Sequence, residues 1–431
     1  MRLGSAFLQT LFTQLMQTGA SLVTGVLIAR ALGPTGQGGY AVIAAAVALG
    51  AVLAGLGQFQ GNVIAAADGR AEPRVLLVRA VLHGLVAALL LLATRPLWNQ
   101  RISHTVGSAL GFLFVAVLAA EVIAQLVRGI NLGQRHVTGW NTATLTQRFA
   151  YLAGVAALVL TGRARLEPVL ACWAVATLLS VAVSGLWIWL RSHATSVSLQ
   201  RLWWGWGAGL SVAMRAFVAV GVTLLLVRCD VWMLGPMLGV GTVGQMSVAT
   251  TLAEWLWYIP SILGNLLFTV VAADSSGRSV RQICRGTRAV VMMLLPAALL
   301  LLFAGQRLVV ALYGNAYESA GTLFILLLPG MTAIGIHLVV DAFFAGKGFP
   351  PISIWSAVAA LVAKVGLNLI VVPSFGAPGA AVVTSFVYTG LLTVKVTAFT
   401  HRTGTSLATL LIPGRGDFQY LTTLARAGIG A

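Results

Sequence analysis

The chain has 431 residues, 58% of them hydrophobic and only 9% charged, with a mean hydropathy of +0.93. A soluble chain carries roughly 25% charged residues, so too little polar surface exists to cover a water-soluble particle, and lipid must be the solvent for most of it. The formal net charge of +17 does not imply nucleic acid, because most of the basic residues fall in loops, where they set membrane topology.

A spanning helix needs about 20 mostly apolar residues to cross a hydrocarbon layer about 30 Å thick. By that rule spans are predicted near 8–30, 39–67, 75–94, 107–127, 143–162 and 168–190. A second set is predicted near 207–233, 244–272, 287–305, 319–345, 351–373 and 376–398. Gln9, Gln14 and Gln17 interrupt the first apolar run, and no small-residue cleavage site follows, so it reads as an uncleaved span rather than a signal peptide. Leu32-Gly33-Pro34-Thr35-Gly36 and Pro373-Ser374-Phe375-Gly376 read as breaks between spans. The expected fold is an all-α polytopic membrane protein of about twelve helices, in two parallel six-helix halves around a central cavity. Its boundaries are an N-terminal half at 1–200, a C-terminal half at 201–400 and a short tail at 401–431.

Lys and Arg in short loops mark the cytoplasmic side. With the N-terminus inside, Arg70, Arg74 and Arg79, then Arg128, Arg135 and Arg148, and later Arg278, Arg281, Arg285 and Arg288 fall on the cytoplasmic side. Arg30, Arg95, Arg101, Arg163, Arg165, Arg228 and Arg307 fall outside, while Arg215 and Lys364 lie within spans. The expected location is therefore the cytoplasmic (inner) membrane, multi-pass, with both termini cytoplasmic.

No outer loop is longer than roughly a dozen residues on this scheme. The ten acidic residues and six histidines do not cluster. A membrane glycosyltransferase or ligase would usually need an extramembrane loop with acids or histidines, so the enzyme reading is the disfavoured alternative. Cys172, Cys229 and Cys284 have no metal-ligand or redox spacing and read as packing residues. Neither a metal nor a cofactor is expected.

Three short matches recur in order. Leu32-Gly33-Pro34 returns as Leu234-Gly235-Pro236, Gly61-Asn62 as Gly264-Asn265, and Gly133 with Trp140 as Gly348 with Trp355. Six spans per half give repeats that enter the membrane in the same sense. That is a transporter architecture, in which one half rocks against the other around a midplane site.

The segment LIARALGPTGQGGYAVIAAA (27–46) resembles the junction of the first two spans in the polysaccharide-exporter and oligosaccharide-flippase family. That family shares a superfamily with multidrug extruders and the lipid II flippase. LLLVRCDVWMLGPMLGVGTVGQMSVAT (224–250), with Asp230, resembles the opening of the family's second half. FFAGKGFPPISIWSAVAALVAKVGLNLIVVPSFGAPGAAVVTS (343–385) resembles its paired late spans. Two features depart from the family: many members have fourteen spans, and Lys364 stands where an apolar or amide residue is more usual.

The resemblance implies a transporter that moves a polyprenyl-diphosphate-linked oligosaccharide, the repeat unit of a polysaccharide, to the outer leaflet by alternating access. Its partners would be membrane lipid, this substrate and, where they exist, polysaccharide assembly proteins. Arg215, Arg228 and Arg30 would suit a diphosphate, because the guanidinium fork donates paired hydrogen bonds to anionic oxygens. Equally, Arg228 would pair locally with Asp230, and Arg30 would reach the head groups. Lys364 would pair with Glu121, Glu254 or Asp341, touch substrate, or face a wet crevice. Gln14, Gln17, Gln58 and Asn62 suit sugar hydroxyls, and equally helix–helix hydrogen bonds. Asp230 and Glu254 are candidate ion-coupling carboxylates. The runner-up is a cation-coupled drug or metabolite antiporter of the same superfamily.

Overall fold

The structure is a computed structural model that describes residues 3–67, 69, 71–94, 110–134, 136–192, 210–273, 278–348, 350–414 and 417. The side chains of 3–12, 137, 210–216, 219, 269, 272, 273 and 278 stand outside that description. Among the described residues the chain is helical, with no strand. The helices are α1 (Leu3–Gly55), α2 (Gln58–Ala67), α3 (Pro73–Ala93), α4 (Leu110–Gly133), α5 (Val137–Leu160) and α6 (Leu166–Arg191). There follow α7 (Leu210–Leu238), α8 (Val240–Ala253), α9 (Tyr258–Ala273), α10 (Arg278–Tyr313), α11 (Glu318–Gly346), α12 (Pro351–Thr403) and the short α13 (Leu407–Leu411).

Nine of these helices are long and apolar enough to cross a membrane. Two of them, α1 and α12, run to 53 residues each. At 1.5 Å per residue each would be about 80 Å long, far more than one crossing of about 30 Å. Both turn at a glycine: Gly33 has φ 66° and ψ 178°, and Gly376 has φ 60° and ψ −150°. An L side chain rarely adopts such a φ, and the proline just beyond, Pro34 or Pro378, suits the first turn of the new arm. Each long helix is thus two crossings. A third hinge, Gly239 at φ 89°, starts α8, which continues through a 3-10 turn at Glu254–Trp257 into α9. Counting α2 with the second arm of α1, and α8 with α9, as one crossing each, and leaving out the short α13, the described helices make twelve crossings.

The chain divides into two compact units, 1–225 and 226–431, the division falling inside α7. Within the first unit α4 packs on α2, α3 and α6; within the second, α11 packs on α9, α10 and α12. These two are the most buried of the spanning helices. Small residues let their neighbours come close. A Cβ on Gly133 would stand 2.3 Å from the Val63 carbonyl oxygen, and one on Gly330 would stand 2.4 Å from the Ser385 Cα.

The repeat is therefore visible in packing, but its register differs from the tripeptide match. Gly33 corresponds to Gly239, the hinge, whereas Gly235 and Pro236 lie one turn earlier inside α7. Gly133 with Trp140 and Gly348 with Trp355 straddle corresponding junctions, α4 to α5 and α11 to α12.

Candidate functional site

Three pairs of residues, each spaced four apart and so on one helix face, meet inside the second unit. Leu226 and Asp230 come from α7, Lys364 and Asn368 from the first arm of α12, and Thr384 and Tyr388 from its second arm, folded back by Gly376. The Lys364 ammonium lies 2.6 Å from Asp230 Oδ2 and donates to the Leu226 carbonyl at 3.0 Å. It stands 5.2 Å from the Tyr388 ring centroid. Asn368 Nδ2 donates to Asp230 Oδ1 at 2.9 Å, and the Thr384 hydroxyl donates to Oδ2 at 3.2 Å. Lys364 and Asn368 are fully buried and Asp230 is nearly so.

Between Leu226 and Asp230 in sequence but on another side of α7, Arg228 pairs with Glu254 at 3.0 Å. Glu254 opens the 3-10 turn that interrupts the eighth crossing. Irregular backbone within a membrane span is tolerated where protein or a wet cavity covers it. The second crossing is interrupted too, between α1 and α2, where Leu56 has φ 45° and Gly57 φ 70°. Towards the end of α11, Lys395 reaches Asp341 at 2.5 Å and Ser353 at 3.0 Å.

In the first unit Glu121 of α4 is the hub of a second network. Its Oε1 accepts from Gln147 Nε2 at 2.6 Å, Trp173 Nε1 at 2.8 Å and Thr177 Oγ1 at 3.1 Å. Its Oε2 pairs with Arg128 at 3.5 Å. Trp173 also packs beside Tyr40 and Tyr151, whose hydroxyls lie 3.2 Å apart.

The residues singled out by sequence fall in several places. Lys364 pairs with Asp230 rather than with Glu121, Glu254 or Asp341, each of which has another cation. Arg228 pairs with Glu254 rather than with its near neighbour Asp230, because residues two apart point to different sides of a helix. Asn62 is buried, donating to the Leu126 carbonyl at 3.1 Å and accepting from Arg79 at 3.5 Å. Gln58 is also buried, Gln14 and Gln17 are half-buried, and Arg30 is exposed. The Arg215 side chain lies outside the described residues.

Sequence reading missed Arg148. The span predicted from 143 leaves residue 148 near its cytoplasmic start, among the charges of that side, but α5 begins at Val137. Arg148 is thus at mid-length of a 24-residue helix, and it is exposed. Its neighbour Gln147 points inward to Glu121. The available signal was the apolar run continuing beyond Arg148, which leaves it deep in a span if the polar residues from 138 to 147 are allowed to be helical.

No known protein family matches the chain by sequence, and no curated protein does. Among solved structures the chain is similar to an inward-facing multidrug resistance MATE family transporter of the MOP superfamily. That match has TM-score 0.69 and 16% identity, and covers 93% of this chain and 98% of the other. It is similar to the lipid II flippase MurJ in an inward closed conformation, with TM-score 0.71, 11% identity and coverage of 91% and 87%. It is also similar to a MOP superfamily transporter from Pyrococcus furiosus Vc1 described as having reverse polarity of its binding pocket. There the TM-score is 0.66, the identity 16% and the coverage 94% and 95%. The chain therefore has the polytopic fold seen in MATE transporters and MurJ.

Proposed function

We propose that the protein is a transporter of the cytoplasmic membrane that flips a polyprenyl-diphosphate-linked oligosaccharide to the outer leaflet by alternating access. One observation carries the choice of an anionic substrate. Glu121, Asp230, Glu254 and Asp341, the described carboxylates beyond the first turns of the spanning segments, are each ion-paired with Lys or Arg. Arg148, by contrast, is exposed at mid-span. A charge at that depth is expensive unless it faces water or a partner, and a guanidinium is suited to diphosphate oxygens. An organic cation would find these four carboxylates already neutralised.

The fold likeness to a lipid flippase supports the reading, and the sequence resemblance at 27–46, 224–250 and 343–385 supports the sugar-lipid class. On this reading Arg148 and Arg30, and Arg215, contact the diphosphate. Gln14 and Gln17 contact the sugar, while Arg228 is held ready by Glu254.

The test is translocation of a fluorescent polyprenyl-diphosphate oligosaccharide in proteoliposomes. Protein-dependent flipping is expected, falling at least tenfold in folded Arg148→Ala and in Arg215→Ala. Loss of about 1.4 kcal/mol of transition-state binding gives that factor. No flipping of several lipid-linked sugars, with efflux of cationic drugs instead, would move the protein to the antiporter class.

A further inference from the structure

We propose that Lys364 is a tethered cation, its ammonium filling an oxygen-lined site in the second unit that would otherwise take a free monovalent cation. The protein would then need neither sodium nor potassium at this place.

The argument starts from the surroundings of the ammonium. Its hydrogen-bonding contacts are oxygens: a carboxylate at 2.6 Å and a main-chain carbonyl at 3.0 Å. Lysine presents a compact point charge, close in size and charge to a bare alkali ion. The opposing charge is one carboxylate, Asp230, which balances one positive charge and no more. Carboxylate and main-chain carbonyl are the hard oxygens that alkali and alkaline-earth ions prefer. The Thr384 hydroxyl is fixed on Asp230, and the Asn368 amide stands on the other carboxylate oxygen.

A second observation comes from Asn368. Its Nδ2 is committed to Asp230, but its Oδ1 is buried without a hydrogen-bond partner. Buried polar atoms are nearly always satisfied. An amide oxygen beside a carboxylate is an acceptor waiting for a cation or for water that a cation brings. Removing the lysine side chain would leave the Asp230 carboxylate and the Leu226 carbonyl facing a space the size of four methylenes and an ammonium, with the Thr384 hydroxyl and the Asn368 amide held on the same carboxylate. That space has the polarity and room to hold a small ion with water.

A purely structural ion pair makes a different prediction. It would cost stability when broken, whichever salt was present. A tethered cation would be replaced by a free ion, and ligand binding to the folded state raises its stability in a saturable way.

The experiment is thermal unfolding of the full chain in detergent, with sodium, potassium or choline chloride at equal ionic strength. The wild type is expected to melt at the same temperature in all three. Lys364→Ala should melt lower in choline and regain several degrees, saturably, in sodium or potassium. Lys364→Met, which fills the space without charge, and the double variant Asp230→Asn/Lys364→Ala should show no such gain. A Lys364→Ala protein that is folded but indifferent to the cation would overturn the proposal. So would a wild type that gains as much from sodium or potassium as the variant does.

Should Lys364→Ala fail to fold in every salt, Lys364→Ser, which also empties the space, carries the same comparison. The wild-type arm also stands alone, since a sodium-specific rise that disappears in Asp230→Asn would refute a site already filled by lysine. The readout is binding, so it keeps its meaning if the substrate assignment above fails.

Discussion

At Asp230 a single carboxylate holds a fully buried ammonium, a buried amide and a hydroxyl. Breaking a buried pair by removing one partner leaves an uncompensated charge and costs about 3–5 kcal/mol. Asp230→Ala should therefore lower the unfolding midpoint steeply, and Asp230→Asn/Lys364→Met should recover most of the loss. Unfolding in mild detergent checks both. At Glu121 the expected effect is smaller and graded. Glu121→Gln keeps an oxygen for Trp173 and Thr177. Glu121→Leu strands their donors and Gln147, at about 1–3 kcal/mol for a buried unsatisfied group. Trp173 fluorescence should shift in the second variant and little in the first. Sequence reading identified Lys364 and Asp230 as costly charges but did not join them. The partner lies in another helix well over a hundred residues away, and hydropathy carries no information about helix rotation.

The helices themselves were largely legible, because hydropathy reports crossings directly in lipid. Each predicted span has a helical counterpart, including the two pairs that run on through Gly33 and Gly376. Those glycines were read as loops, whereas each is a one-residue hinge between helical arms. Gly376→Ala places an L side chain at φ 60° and should cost about 1–2 kcal/mol. Gly330→Val should cost more, because its side chain meets the Ser385 backbone; heat stability of purified protein would rank the two. The start of α5 differs because Thr138, Asn141 and Thr142 look like loop residues, yet in a helix a threonine hydroxyl donates to the carbonyl four residues earlier, as Thr142 does to Thr138 and Thr144 to Trp140.

The tail after α12 shows an interaction hydropathy could not reveal. Arg288 of α10 grips Asp417 at 2.7 and 2.9 Å and also donates to the Thr409 carbonyl. The Arg288 hydrogen bond pulls the Asp417 carboxyl below the ordinary carboxylate range. A depressed folded value means the clamp contributes fully above about pH 4, the usual aspartate value, and is lost as pH falls through the lowered one. Limited proteolysis beyond residue 403 should thus be slow and constant from neutral pH to about pH 4 and faster below it. Asp417→Asn should be cut quickly throughout.

For the molecule as a whole, topology is the expectation most directly open to test. Basic residues predict that both termini face the cytoplasm. In a background lacking Cys172, Cys229 and Cys284, a single cysteine at residue 404 should react with a membrane-impermeant thiol reagent only from the cytoplasmic face. Composition placed the protein in lipid and the pattern of spans gave its fold. The choice of substrate rested on residue type, and Arg148 shows why that was incomplete: its depth depends on a helix start that composition blurs.

The pairing of Asp230 with Lys364 also sets a timetable for biosynthesis. Translation proceeds at about 5–20 residues per second, so the seventh crossing emerges roughly ten seconds before the eleventh. During that interval Asp230 has neither its ammonium nor Asn368 and Thr384, and a bare carboxylate in hydrocarbon is strongly disfavoured. The seventh helix must therefore wait at the edge of the insertion channel, or under the care of an insertase, until α12 arrives. In the order of its synthesis the protein is committed to late assembly of its second unit, whatever it carries.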